Sequence, residues 1–398
     1  MNRSTLILSL LALAACAPDA KVEDTGDDHD TDTDTDTDTD TDADTDADTD
    51  ADTDTDTDTD TDTAPAQTHA VVATTFDGVG ALAVVDLETL AVTDEISTIS
   101  SDAVVVTEGD VVFQLNRSDF DSVRVYTPGS FTAPETEISL ASGANPWDAE
   151  ICGGQLFVAQ YGTDSLAVYD LDTGVLSGAV DLSAYDDGDG LPEIAGLVEL
   201  DGKLYVAMQQ LDRNNYWTPT GGSVAQVDCA TQAVDQAWQV GPNPTISAWP
   251  GSTDTLLVRT GGYGVPDGGL STLDVAAGTQ SDLTVTEESV NADLTHVVIA
   301  SDGASGIVLS SNFEWPATYG VWCLDTSDWS LSAIETTGTY ISGLAIDDRD
   351  RSWVSFQAPS WGAEDAVPGA ELYDSGTCSA VQDELVEFVL DPGSIAFY

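Results

Sequence analysis

Residues 144–182, ANPWDAEICGGQLFVAQYGTDSLAVYDLDTGVLSGAVDL, and residues 191–240, LPEIAGLVELDGKLYVAMQQLDRNNYWTPTGGSVAQVDCATQAVDQAWQV, follow one plan. Each opens near a proline with a short strand, turns at glycine and runs through LFVAQ or LYVAM. Each then crosses a variable loop, returns in a strand ending AVYD or AQVD, and closes with a fourth strand. A self-similar unit of about 40 to 50 residues is one supersecondary element repeated along the chain. Related units read at 69–100, 101–140, 242–286, 290–338 and 339–388, which brings the number to seven. Short strands, closely spaced turn signals and almost no helical periodicity place the chain in the all-β class. Repeated four-stranded sheets bury their faces and protect their edges when packed radially, so the expected fold is a seven-bladed β-propeller. The unit at 69–100 lacks an opening strand, while the chain ends DPGSIAFY, which matches the openings NPWDAEI and LPEIAGL. Residues 391–398 are therefore expected to supply the innermost strand of the first blade and so close the ring.

Two segments precede the repeats. MNRSTLILSLLALAAC (1–16) carries a basic residue at Arg3 and an apolar run too short to span a bilayer, the pattern of a secretory signal. Its end, Leu13-Ala14-Ala15-Cys16, resembles the lipobox of bacterial lipoproteins. That resemblance implies removal of residues 1–15 and lipidation of Cys16, with the membrane reached through the N-terminal lipid. Several acyl chains are needed for firm anchoring, because one alone binds only marginally. Residues 16–66 are dominated by Thr-Asp repeats, and the repeat run has no apolar residue larger than alanine. Such a segment cannot bury enough surface to offset the entropy of ordering, so it is expected to be a disordered, charge-extended tether. The domain itself is assigned to 67–398. Ala17 after the cysteine favours the outer membrane or cell surface over the inner membrane, by resemblance to lipoprotein sorting.

Nine Lys and Arg stand against 72 Asp and Glu, for a formal net charge of −63. That surface repels phosphate backbones and excludes nucleic acid as a partner. Besides Cys16 there are Cys152, Cys229, Cys323 and Cys378, an even number in an exported chain and none in CxxC spacing, which points to disulfides. Under the blade alignment, Cys152 and Cys229 fall on one face of adjacent blades, and so do Cys323 and Cys378. A bond needs Cα atoms within about 7 Å, so the expected pairs are Cys152 with Cys229 and Cys323 with Cys378.

The motif GGQLFVAQYGTDSLAVYDLDTG (153–174), with DGKLYVAM and SVAQVDCATQ in the next repeat, resembles the YVTN-type seven-bladed propellers of surface and exported proteins. The resemblance implies the fold and brings no catalytic residue.

Four second-to-third loops are longer than a hairpin needs: QLDRNNYWTPTGG, TGGYGVPDGG, SSNFEWPATYG and QAPSWGAEDAVPG. They carry Arg213 and the aromatics Tyr216, Trp217, Tyr263, Phe313, Trp315, Tyr319 and Trp361 outside the alternating strand runs. In a propeller these loops share one face, so the expected function is a binding module for a glycan, peptide or protein, acting as a monomer. Rings that merely cap the blade cores are the plainer reading of any one of them. DDGDGLPE (186–193) sets Asp187, Asp189 and Glu193 around glycines, a candidate calcium turn that is too short for an EF-hand. A solvated acidic turn is the simpler reading there. Three histidines and no GxSxG, HExxH or phosphate loop argue against an enzyme. His296, inside THVVIAS, reads as a buried core histidine. A calcium-dependent propeller hydrolase or lactonase and a ligand-free spacer are the alternatives. No cofactor beyond calcium is expected.

Overall fold

The computed structural model describes residues 66–398 apart from 119, 187, 263–264, 313–315 and 359–366. Residues 1–65, among them Cys16 and the acidic run, lie outside the described residues. Antiparallel sheets follow one another along the chain and form the seven four-stranded blades of a β-propeller around a central channel. The innermost strands of blades two to seven are Ala103–Glu108, Pro146–Cys152, Ile194–Leu200, Thr245–Ala248, Asp293–Ile299 and Ile341–Ile346. Blades five and seven build their outer edge from two short segments each, Thr279–Gln280 with Val285–Thr286 and Ser379–Ala380 with Val386–Glu387.

Burial explains the sequence pattern strand by strand. Second strands such as Gln155–Gln160 and Lys203–Met208 bury every residue but the first, because both faces of a blade are covered by its neighbours. Outermost strands such as Ala233–Gln239 are mostly exposed. The apolar clusters accordingly lie between blades. Phe157, Leu166 and Val168 pack on Ile194, Leu204 and Val206 across blades three and four. Ile307 and Val321 meet Val354 and Tyr373 across blades six and seven.

The first blade is completed from the far end of the chain, as the sequence implied. From the channel outward its strands are Asp391–Phe397, His69–Phe76, Val79–Asp86 and Val92–Ile99. The closing register pairs Ala70 with Phe397, Val72 with Ile395 and Thr75 with Asp391. Tyr398 exchanges backbone hydrogen bonds with His69, donating at 2.9 Å and accepting at 3.0 Å. At the same seam Arg349 and Arg351 of blade seven donate to the Leu87 carbonyl of blade one at 2.8 and 3.0 Å. Buried Asp347 accepts from Arg351 Nε at 2.7 Å and from Trp353 Nε1 at 3.1 Å.

Both disulfides form as the alignment required. Cys152–Cys229 ties blades three and four with Cα atoms 5.7 Å apart, and Cys323–Cys378 ties blades six and seven at 5.5 Å.

Candidate ligand site on the loop face

The blade-four loop is built around a carboxylate. Glu193, fully buried in the connection that enters the blade, accepts from Leu211 N at 3.0 Å and from Arg213 Nε at 3.0 Å. Asp189 accepts from Arg213 N at 2.8 Å. Asp212 then caps the short turn Arg213–Asn215 by accepting from Asn214 N. Thus fixed, the chain places Tyr216 and Trp217 in consecutive left-handed conformations, with φ of 57° and 60°. A side chain in that region costs about 1–2 kcal/mol per residue. Tyr216 is 95% exposed and Trp217 46%, so Tyr216 caps no blade core.

Trp217 stands at the outer end of a row of rings. It stacks on Tyr161 at 6.3 Å between centroids, and Tyr161 stacks on Trp147 at 4.6 Å. Arg213 lies over the Trp217 ring and Arg117 over that of Trp147. Tyr161 is held from below by its hydroxyl, which donates to Gln209 Oε1 at 3.0 Å. Rigid, stacked aromatic rings present area at low entropic cost.

The row ends at the mouth of the channel, where a cavity of about 420 Å³ opens among blades three to seven. Trp147, Arg259, Glu287, His296, Ser311 and Tyr319 are among its lining residues. Local irregularity aims several of them: the innermost strands slip register between Pro146 and Asp148 and between Leu294 and His296. Bulges of this kind re-aim side chains, and here they bring Trp147 and Thr295 to the cavity wall. Arg259 donates from Nε to Thr245 Oγ1 and from Nη1 to the Leu294 carbonyl, both at 2.9 Å. Glu287, fully buried, accepts from Gly268 N and Leu294 N, each at 2.9 Å. Its carboxylate occupies the place a Cβ on Gly261 would need, which requires glycine there. Tyr319 meets Tyr340 edge to face at 5.3 Å. A second, more polar cavity of about 490 Å³ adjoins the first through His296, Tyr340 and Leu344.

The expectation for His296 is corrected. Its side chain is not packed in the blade core but faces the channel, exposed to the water within it and ringed by protein. The register slip after Leu294 turns it there. That enclosure, with the Arg259 charge, lowers its pKa to about 4, so the imidazole is neutral near pH 7. Burial raises the carboxyls of Glu193 and Glu287 to about 7, against the lowering effect of the hydrogen bonds they accept.

The opposite end of the channel is acidic. Glu108, at the end of its innermost strand, and Glu150, near the end of its own, hydrogen-bond to each other; burial raises both, and the Glu108 charge raises Glu150 further. Asp148 is raised to about 7 by burial, opposed by the N–H groups of Leu197 and Ala149.

Of the residues singled out in the sequence, Arg213, Tyr216 and Trp217 come together in one loop, and Tyr319 lies on the cavity wall. Tyr263, Phe313, Trp315 and Trp361 lie outside the described residues, as does Asp187. Asp189 and Glu193 face Arg213, and their oxygens are engaged by it and by backbone N–H groups. Among the described residues no group of three or more metal-ligating side chains converges. Sequence reading missed Trp147, Tyr161, Arg259, Glu287, Ser311 and Tyr340. One signal was present: Trp147 follows an opening proline, where the other well-marked opening, LPEIAGL, has no ring.

No protein-family model and no curated protein matches the chain significantly. Solved structures do resemble it. A putative 6-phosphogluconolactonase from Bacteroides uniformis superposes with a TM-score of 0.62 at 14% identity, covering 84% of this chain and 100% of that one. A protein from Lactobacillus plantarum gives 0.58 at 12%, covering 83% and 99%. Kuenenia stuttgartiensis hydrazine synthase gives 0.54 at 16%, covering 73% and 84%. At these identities the likeness is one of fold.

Proposed function

We propose that the chain is a lipid-anchored recognition protein of the cell envelope that binds an extended glycan across the loop face and catalyses no reaction. A peptide or protein segment is the alternative ligand. The observation that carries this reading is the pair Tyr216 and Trp217, held in strained left-handed backbone by Arg213 and buried Glu193 and projected into solvent. Strain of this kind persists where the surroundings over-determine it, and it concentrates at ligand-contacting sites. The ring row running from Trp217 to the channel mouth gives an elongated ligand a track. Glycan and peptide arrays probed with wild type, Tyr216→Ala and Trp217→Ala test it. Trp217→Ala should weaken the array ligand about tenfold or more, in keeping with loss of a large aromatic anchor, with little change in melting temperature. An array silent to every ligand would leave the spacer and the lactonase readings.

Lactone hydrolysis is the second reading. Two similar structures are described as putative 6-phosphogluconolactonases, and the neutral His296 beside Arg259 is the feature of this chain that favours it. Arg259 shares the cavity with Glu287 and Asp293, a poor balance for a phosphate, so unphosphorylated lactones with and without calcium are the substrates to assay.

A further inference from the structure

We propose that the cavity at the channel mouth receives one uncharged sugar ring of the ligand end-on, recognised by the Ser311 hydroxyl and the Trp147 indole N–H. This rests on the binding reading above and adds to it a site and a chemical class.

Ser311 is 3% exposed and lines the cavity, and its Oγ has no hydrogen-bond partner among the described residues. Trp147 lines the same cavity, and its Nε1 is likewise buried without a partner. Buried donors are almost always satisfied, because leaving one unmade forfeits its hydration with nothing in return. Both residues line one void, and in the free protein their donors are covered as well as unpaired, so a ligand there meets them once each side chain turns toward it. Their strands come from blades three and six, so only a molecule inside the cavity can meet both.

The size and the charge select the class. About 420 Å³ falls within the range of small-molecule pockets, roughly 300–1,000 Å³. Among the described residues, Arg259 is the one cation on this wall; it is set against Asp293 and Glu287, and His296 is neutral. No positive charge is in excess to bind a carboxylate or phosphate, and the −63 surface repels anions at a distance. A peptide carboxyl terminus brings a negative charge that the site does not balance. A sugar ring brings hydroxyl oxygens for Ser311 and Trp147, and an apolar face for the Tyr319 and Tyr340 rings. The remainder of the chain leaves along Tyr161 and Trp217.

The test is titration of the full-length protein in detergent with a panel of neutral methyl glycosides, the matching uronic acids, and short oligosaccharides and peptides. Ser311→Ala, Trp147→Phe and Trp217→Ala are carried through the same panel. Neutral glycosides should bind, and Ser311→Ala and Trp147→Phe should each weaken them about three- to tenfold, the worth of one hydrogen bond. Ser311→Ala should keep or raise the melting temperature, since it removes a hydroxyl that the free protein leaves unpaired. Oligosaccharide binding that depends on Trp217 but ignores both cavity variants overturns the cavity proposal and leaves the loop-face reading standing. Preference for uronic acids or peptides overturns the sugar class alone. Silence across the panel removes both.

Discussion

Deleting residues 391–398 tests the closed ring most directly. Phe397 is 6% exposed, its ring 5.8 Å from that of Trp353, in the cluster shared by blades one and seven. Truncating a buried phenylalanine alone costs about 3–5 kcal/mol. The deletion also strips the ladder from His69–Phe76, and with it Ser394 Oγ, which accepts from Val105 N at 3.1 Å and donates to Val105 O at 3.0 Å. Asp391, which holds Ala358 N at 2.8 Å, goes too. Whole domains are stable by about 5–15 kcal/mol, so the loss should leave the first blade open under native conditions. A circular permutant isolates closure from mere core loss. Tyr398 already bonds His69, so a chain that begins at Asp391, passes from Tyr398 through a short glycine turn to Gln67 and ends at Leu390 retains every contact. Urea midpoints and amide hydrogen exchange over His69–Phe76 provide the assay. The permutant should match wild type, while the deletion should show a lowered midpoint and fast exchange in that strand. A deletion variant with wild-type midpoint and protection would refute the reasoning.

Three further outcomes follow from the same structure. Cys323→Ser with Cys378→Ser opens a bond spanning 55 residues; the loop-entropy relation gives about 4 kcal/mol, readable as a fall in the urea midpoint against the intact oxidised protein. Asp148, Glu193 and Glu287 have folded pKa values raised to about 7, above those of the unfolded chain, so the native state holds the extra protons between the two. Their stabilisation is complete at acid pH near the unfolded values and is lost as pH rises through 7; the melting temperature at about pH 5.5 should exceed that at about pH 8 by about 5 °C or more, and Glu193→Gln with Glu287→Gln should flatten the profile. Cys16→Ser should abolish membrane association while leaving the domain folded, and a variant that still sediments with membranes after a high-salt wash would exclude lipid anchoring.

The blade architecture was legible because each blade is a local event. Glycine turns, LFVAQ-type runs buried on both faces and exposed closing strands repeat at short range, and register then fixes which cysteines can meet. The loop bearing Tyr216 and Trp217 was legible for the same reason, since its rings break the strand alternation. What the loop does with them was not: the left-handed backbone depends on Glu193, which reaches Arg213 across 20 positions of sequence. His296 was misread because its place inside the strand-like run THVVIAS suggests the core, whereas the slip after Leu294 turns the ring to the channel.

The sequence by itself determined seven blades, a first blade closed by the last eight residues and two disulfides between neighbouring blades. All three follow from periodicity and from the short reach of a covalent bond. Only the tertiary structure decided the cavity. Trp147 comes from blade three, Arg259 from blade five, Glu287 from the connection after it, and His296 and Ser311 from two strands of blade six, and they meet because radial packing gathers the ends of the blades around one axis. Convergence of that kind leaves no trace in local pattern, since the distance between two such residues is set by the ring and not by the chain between them.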